Sequence, residues 1–180
     1  PETVVIPMSM HIGAPCRPVV QVGDHVNMGQ LIGEATAYVS APIHASVSGT
    51  VEAIEPRPHF SGVDVLSVVI RNDYQDTLDP SVKPVENPES LTAEELTEIV
   101  KNAGIVGLGG ATFPTHVKIL SGLGKVDTVI INGAECEPYN TSDHRIMLEY
   151  PDQVVGGATL LARLFQVDKV HIGVEDNKMN

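Results

Sequence analysis

Two stretches of the 180-residue chain carry residue types able to handle a ligand: Gly104-Ile-Val-Gly-Leu-Gly-Gly-Ala-Thr-Phe-Pro-Thr-His-Val-Lys118 and Val129-Ile-Ile-Asn-Gly-Ala-Glu-Cys-Glu-Pro138. Gly104, Gly107, Gly109 and Gly110 let the backbone come close to a bound group and aim its N–H donors. Pro114 suits a first helical position, so the loop runs into a helix whose N-terminus adds partial positive charge. Lys118, about one turn further on, supplies a full positive charge. Such a place suits a phosphate. In the second stretch an apolar strand, expected over 126–131, stops at Asn132 and the carboxylates Glu135 and Glu137. Ligands of open parallel sheets sit just beyond the carboxyl ends of strands, so both stretches are expected to border one crevice.

The formal net charge of −12 argues against nucleic acid or anionic membrane surfaces as direct partners. It also makes a lysine beside a helix start less a matter of background. Cys16 and Cys136 form no CxxC pair and are too few to ligate an iron–sulfur cluster. His11, His25, His44 and His59 show no HxH or HExxH spacing, so no metal site is expected. No apolar run approaches the roughly 18–20 residues of a membrane span. The chain opens at Pro1 without a signal-peptide pattern and closes at Asn180 soon after an apparent strand, which leads us to expect a piece cut at both ends.

From Thr3 to about Asn72, short β-branched runs alternate with glycine and proline turns, an all-β pattern. Val20–Val26 and Ala45–Ile54 echo each other as a weak internal repeat. Residues 73–90, with Pro80, Pro84 and Pro88 among polar residues, read as a linker. A helix then begins at a capping box of Thr92 and Glu95, with Leu91 and Leu96 as its hydrophobic staple and Gly104 as its stop. Helix and strand alternate from Leu91 onward. A helix is expected after the Asn140–Asp143 cap, a longer one from Pro151 with Val154, Val155, Ala158, Leu161, Ala162 and Phe165 buried, and a strand over 169–174. This argues a parallel sheet of the Rossmann-like kind, of which only two strands are visible. The expected division is therefore 1–72 β domain, 73–90 linker, 91–180 the first part of an α/β domain.

The first domain's Val-Gly-Asp-x-Val pattern, followed by Ser-Ala-Pro and Ser-Gly-Thr-Val, resembles the barrel-sandwich hybrid of biotinyl and lipoyl carriers. Carriers are loaded on a lysine, and none precedes Lys83. A carrier role is thereby excluded and a structural or docking one is left. The glycine stretch, the Asn-Gly-Ala-Glu-Cys-Glu-Pro run and Asp143-His-Arg145 together resemble the RnfC family, the C subunits of the Rnf electron-transport complex, which is similar in turn to the flavin subunit of respiratory complex I.

The resemblance implies a lysine-free barrel-sandwich hybrid followed by an incomplete Rossmann-like domain that binds FMN and NADH. It places Gly107, Gly109, Gly110 and Lys118 at the FMN phosphate, Asn132 and Glu135 along the flavin, and Phe113 and Glu137 toward NADH; no residue is assigned a catalytic or metal-ligating role. It further implies two 4Fe–4S clusters in a C-terminal region beyond this chain. Ferredoxin and the other Rnf subunits, membrane subunits included, are the implied partners, with attachment to the cytoplasmic face of the cell membrane through them rather than by direct insertion. Two departures from the complex I pattern stand out: Ala134 occupies the place of an aspartate, and Glu175–Lys178 lacks its arginine–glycine–glutamate motif.

Other readings stay open from sequence. The chain could be a non-catalytic docking module, or resemble the flavin-dependent cobalamin reductase of microcompartments. Phe113 reads as a core aromatic or a pocket ring, and His116 as a helix-surface histidine or a ligand contact. Cys136 lacks an evident base and is not expected to be a nucleophile.

Overall fold

A computed structural model describes residues 1–108 and 110–178. The chain resolves into two compact units. The first holds residues 1–88 and 97–118; the second holds residues 89–96 and 119–180.

In the first unit, strands β1 (Thr3–Pro7), β2 (Arg17–Pro18), β3 (His25–Val26), β4 (Leu31–Glu34), β5 (Ile43–His44), β6 (Gly49–Pro58) and β7 (Asp64–Asn72) form two antiparallel sheets. Their orders are β1-β7-β6-β3 and β2-β4-β5. This is the all-β domain the sequence predicts. The echoing segments pair with each other, His25 opposite Thr50 and Val26 opposite Gly49. Alternation along the strands sends Ile6, Val26, Ile32, Ile43, Val51, Val68 and Ile70 into one core, where Val26, Ile32, Val68 and Ile70 are fully buried. Gly33 lets that core close, since a methyl there would sit 2.8 Å from Met8 Sδ and 3.2 Å from Cys16 Cβ.

The proline-rich segment after β7 is partly tied down. Met28 N–H donates to the Thr77 carbonyl at 2.8 Å, and Asp79 N–H donates back to Met28 at 2.9 Å. Asp73 anchors its start, accepting from Ser48 Oγ at 2.6 Å and pairing with His25 Nε2 at 2.9 Å. Polar composition predicted a loop; short side chains at its start made it an adherent one.

Helix α1 (Ala93–Asn102) starts as predicted. Thr92 N–H donates to Glu95 Oε2 at 2.8 Å and Glu95 N–H to Thr92 Oγ1 at 3.2 Å, the reciprocal pair of a capping box. Gly104, at φ +68°, stops it. Helix α2 (Thr115–Gly122) follows the glycine loop, with Pro114 buried just before it.

The second unit carries strand β8 (Val129–Asn132), helices α3 (Ser142–Glu149) and α4 (Pro151–Phe165), and strand β9 (Val170–Gly173). The strands pair in parallel, Val129 opposite Val170 through Asn132 opposite Gly173, as the alternation of elements predicts. The expected α4 stripe needs correction. Ala158 and Leu164 are its buried residues, whereas Val155 is 57% exposed. A sheet of two short strands covers too little of the helix to bury a stripe of full width.

Candidate functional site

The glycine loop belongs to the first unit and is closed at its neck by backbone bonds. Gly107 N–H donates to the Phe113 carbonyl at 2.9 Å and Thr115 N–H to the Ile105 carbonyl at 3.0 Å. Between these ties the chain turns outward: Leu108 is 82% exposed, Gly110 has φ +115° with open space where a side chain would be, and Thr112 holds a left-handed φ of +47°. A non-glycine residue in that conformation marks a loop held by its surroundings. Lys118 lies at the base. A Cβ placed on Gly107 would come within 3.0 Å of Lys118 Nζ, so the ammonium sits directly against a loop position that lacks a side chain to exclude it. An outward turn and a lysine ammonium thus share one small region suited to a phosphate, while the amides of Thr115, Val117 and Lys118 at the start of α2 are already paired with carbonyls. Gly109 lies outside the described residues. Phe113 is half-buried, and its carbonyl closes the neck.

At the carboxyl end of β8 the side chains are already engaged locally. Asn132 Oδ1 accepts Ala134 N–H at 3.1 Å, a short turn within the strand-end loop. Glu135 is 8% exposed, and its carboxylate accepts Asp143 N–H at 2.8 Å, His144 N–H at 3.2 Å and Ser142 Oγ at 3.4 Å. It therefore shares the capping of α3 with Asn140, whose Oδ1 accepts Ser142 N–H at 3.2 Å as the sequence suggested for the Asn140–Asp143 segment. Thr141, next to the helix start, makes no side-chain cap. Glu137 is exposed, and its carbonyl accepts Asn140 N–H at 3.2 Å. A cavity of about 140 Å³ opens beside this loop, lined by Ile131, Asn132, Gly133, Asp143, Met147 and Ile172 among others.

Burial alone would raise the Glu135 pKa, but the two backbone amides, Lys178 and Ser142 outweigh it and hold it below the usual glutamate value. With the folded pKa depressed, the stabilisation is present above about pH 4.5 and lost as pH falls through the folded value. Glu135→Gln is expected to remove that acid-side dependence and to speed amide exchange at Asp143 and His144, as read by exchange mass spectrometry across pH.

His116 is the residue sequence reasoning placed wrongly. It is 2% exposed rather than a helix-surface group, because the start of α2 lays this face on its own unit. Cys136 is exposed and Cys16 is buried. Among the described residues, no helix is long and apolar enough to cross a membrane.

Two family models match the chain in tandem: the RnfC barrel-sandwich hybrid domain over residues 1–75 and the Nuo51 FMN-binding domain over residues 100–180. The class is therefore that of a β module joined to a flavin-binding domain of the electron-transfer type. Over 99% of its length the chain is 56% identical to the C subunit of the Na(+)-translocating ferredoxin:NAD(+) oxidoreductase complex of Acetobacterium woodii. It is 47% identical to the proton-translocating counterpart of Clostridium ljungdahlii and 40% identical to the C subunit of the ion-translocating oxidoreductase complex of Vibrio cholerae. The chain belongs to the RnfC family of oxidoreductase-complex subunits. It spans about 40% of the length of the first two of these relatives and 23% of the third.

Proposed function

We propose that the chain is the flavin-bearing part of an NADH-oxidising subunit in an ion-translocating ferredoxin:NAD oxidoreductase complex. The observation that carries this reading is the Lys118 ammonium set against Gly107 at the base of an outward-turned glycine loop, inside the region similar to an FMN-binding domain. The residues fit the phosphate end of FMN: Gly109 and Gly110 would present backbone N–H groups, Gly107, whose own N–H is bonded to Phe113, would leave room for the ammonium, and Lys118 would supply charge. FMN, when bound, takes two electrons together from NADH and passes them on singly. The protein's part is to hold the phosphate, orient the ring system and limit water.

Asn132 and Glu135 would border the flavin through the loop they shape, since both side chains are occupied with backbone N–H groups. Phe113 and Glu137 are proposed to face NADH. We keep the division into residues 1–72, 73–90 and 91–180 as the functional one. Two 4Fe–4S clusters elsewhere in the subunit would receive the electrons. Ferredoxin and the other subunits of the complex would be its partners, and the subunit would sit on the cytoplasmic face of the membrane through them.

The test is a flavin absorbance spectrum of the full-length subunit before and after NADH. An oxidised-flavin band that bleaches on NADH addition is expected. A purified, folded subunit without flavin, which takes up none from solution, overturns the reading.

A further inference from the structure

The glycine loop is not self-supporting. Three contacts tie it and its flanks to loops of the β domain within the first unit. Ala111 accepts Ile12 N–H at 3.3 Å. Gly104 passes so close to the 41–44 segment that a Cβ on it would lie 2.4 Å from the Pro42 carbonyl and 3.3 Å from His44 Nδ1. His116, the second residue of α2, hydrogen-bonds the Tyr38 carbonyl from a buried position. Its Nδ1 atom is buried without a partner among the described residues, so the bond to Tyr38 runs from Nε2.

We propose that His116 is a positioning residue for the anion-binding loop: its neutral imidazole pins the start of α2 to the β domain, which makes that domain part of the frame of the cradle. The proposal rests on the flavin reading above for its functional meaning, and on the three contacts for its geometry. It gives the lysine-free domain a task that neither cofactor loading nor subunit docking supplies.

The chemistry of the tie sets its pH dependence. A second proton on His116 would go to Nδ1, which has no acceptor among the described residues and no water-exposed face. Burial, Lys101 and His11 lower the imidazole's pKa; the Tyr38 carbonyl and Glu98 pull it the other way, and the net shift is downward. With the folded pKa depressed, the neutral tie is in place at and above about pH 6.5 and is lost only as pH falls through the lower, folded value.

The experiment uses the full-length subunit, with FMN titrated by fluorescence quenching at about pH 8 and at steps down to about pH 5, descending from above an ordinary imidazole pKa into the range below it. Amide exchange of residues 104–118 and 11–14 is followed in parallel. His116→Leu removes the donor and is expected to weaken FMN about tenfold at the higher pH, the worth of one buried hydrogen bond, and to speed exchange in both segments. His116→Gln keeps an N–H donor but does not titrate. It is expected to bind FMN like the parent at the higher pH, keep the parent's exchange, and lose the acid-side fall in affinity.

A folded leucine variant with FMN affinity within about twofold of the parent and unchanged exchange overturns the proposal, as does a glutamine variant that keeps the parent's acid-side fall. If the leucine variant does not fold, the glutamine variant's pH profile decides. If the parent itself binds no FMN, the functional reading fails. The positioning role is then judged on exchange alone, supported by loosening in the leucine but not the glutamine variant, and overturned by its absence.

Discussion

Lys118→Ala in the full-length subunit is expected to raise the Kd for FMN roughly ten- to hundredfold, while thermal stability stays within about 2 °C of the parent. The side chain is exposed, so its removal opens no cavity in a core. What is lost is a charge-assisted contact to an anion, worth about 1.5–3 kcal/mol when one partner is ionised. Partial exposure favours the lower half of that range at physiological salt, and the gap between parent and variant should narrow as salt rises. The backbone donors of the loop remain, so binding falls rather than vanishes.

Lys118→Arg is not expected to restore the parent value. The ammonium stands where a Cβ on Gly107 would be only 3.0 Å away, and a planar guanidinium needs more width than that approach allows. Riboflavin separates phosphate from ring contacts: the alanine substitution should leave its affinity unchanged. An alanine variant that holds FMN as tightly as the parent would remove Lys118 from the site.

Much of this architecture was readable from local rules. The capping box at Thr92 and Glu95, the stop at Gly104 and the strand alternation of the β domain are decided by residues near each other in sequence, and each formed where its chemistry placed it. The glycine loop was legible as a loop for the same reason. What closes it was not, because the Gly107–Phe113 bond and the Lys118 placement depend on how the chain returns on itself.

His116 and Glu135 show the limit most clearly. A histidine at the second position of a helix has no sequence mark of burial. Its environment comes from Tyr38 and His11, more than seventy residues earlier. Glu135 caps α3 from a loop eight residues before Asp143, beyond the three-residue spacing by which a capping box is recognised. A carboxylate that ended an apolar strand looked like a ligand-facing group. The next two helix amides, of Asp143 and His144, claimed it first. In α4 the periodicity was correct, yet the surface available to cover it decided which residues were buried.

Gly104→Ala is expected to lower stability by about 2–4 kcal/mol and the melting temperature by roughly 5–15 °C, and to weaken FMN as well. Two causes add. At φ +68° an alanine adopts a left-handed conformation that costs about 1 kcal/mol. Its methyl would also meet the Pro42 carbonyl at 2.4 Å, and backbone on both sides must give way. The comparison that makes the result informative is Ile70→Ala, which empties space in the fully buried centre of the same domain and costs a similar about 2–5 kcal/mol. Both variants are destabilised, but only Gly104→Ala acts where the β domain touches the approach to the loop. Measured well below either melting temperature, FMN affinity should fall several-fold in the glycine variant and hold in the isoleucine one. Equal affinities in the two would mean that the contact at Pro42 sets the stability of the fold and nothing about the loop it supports.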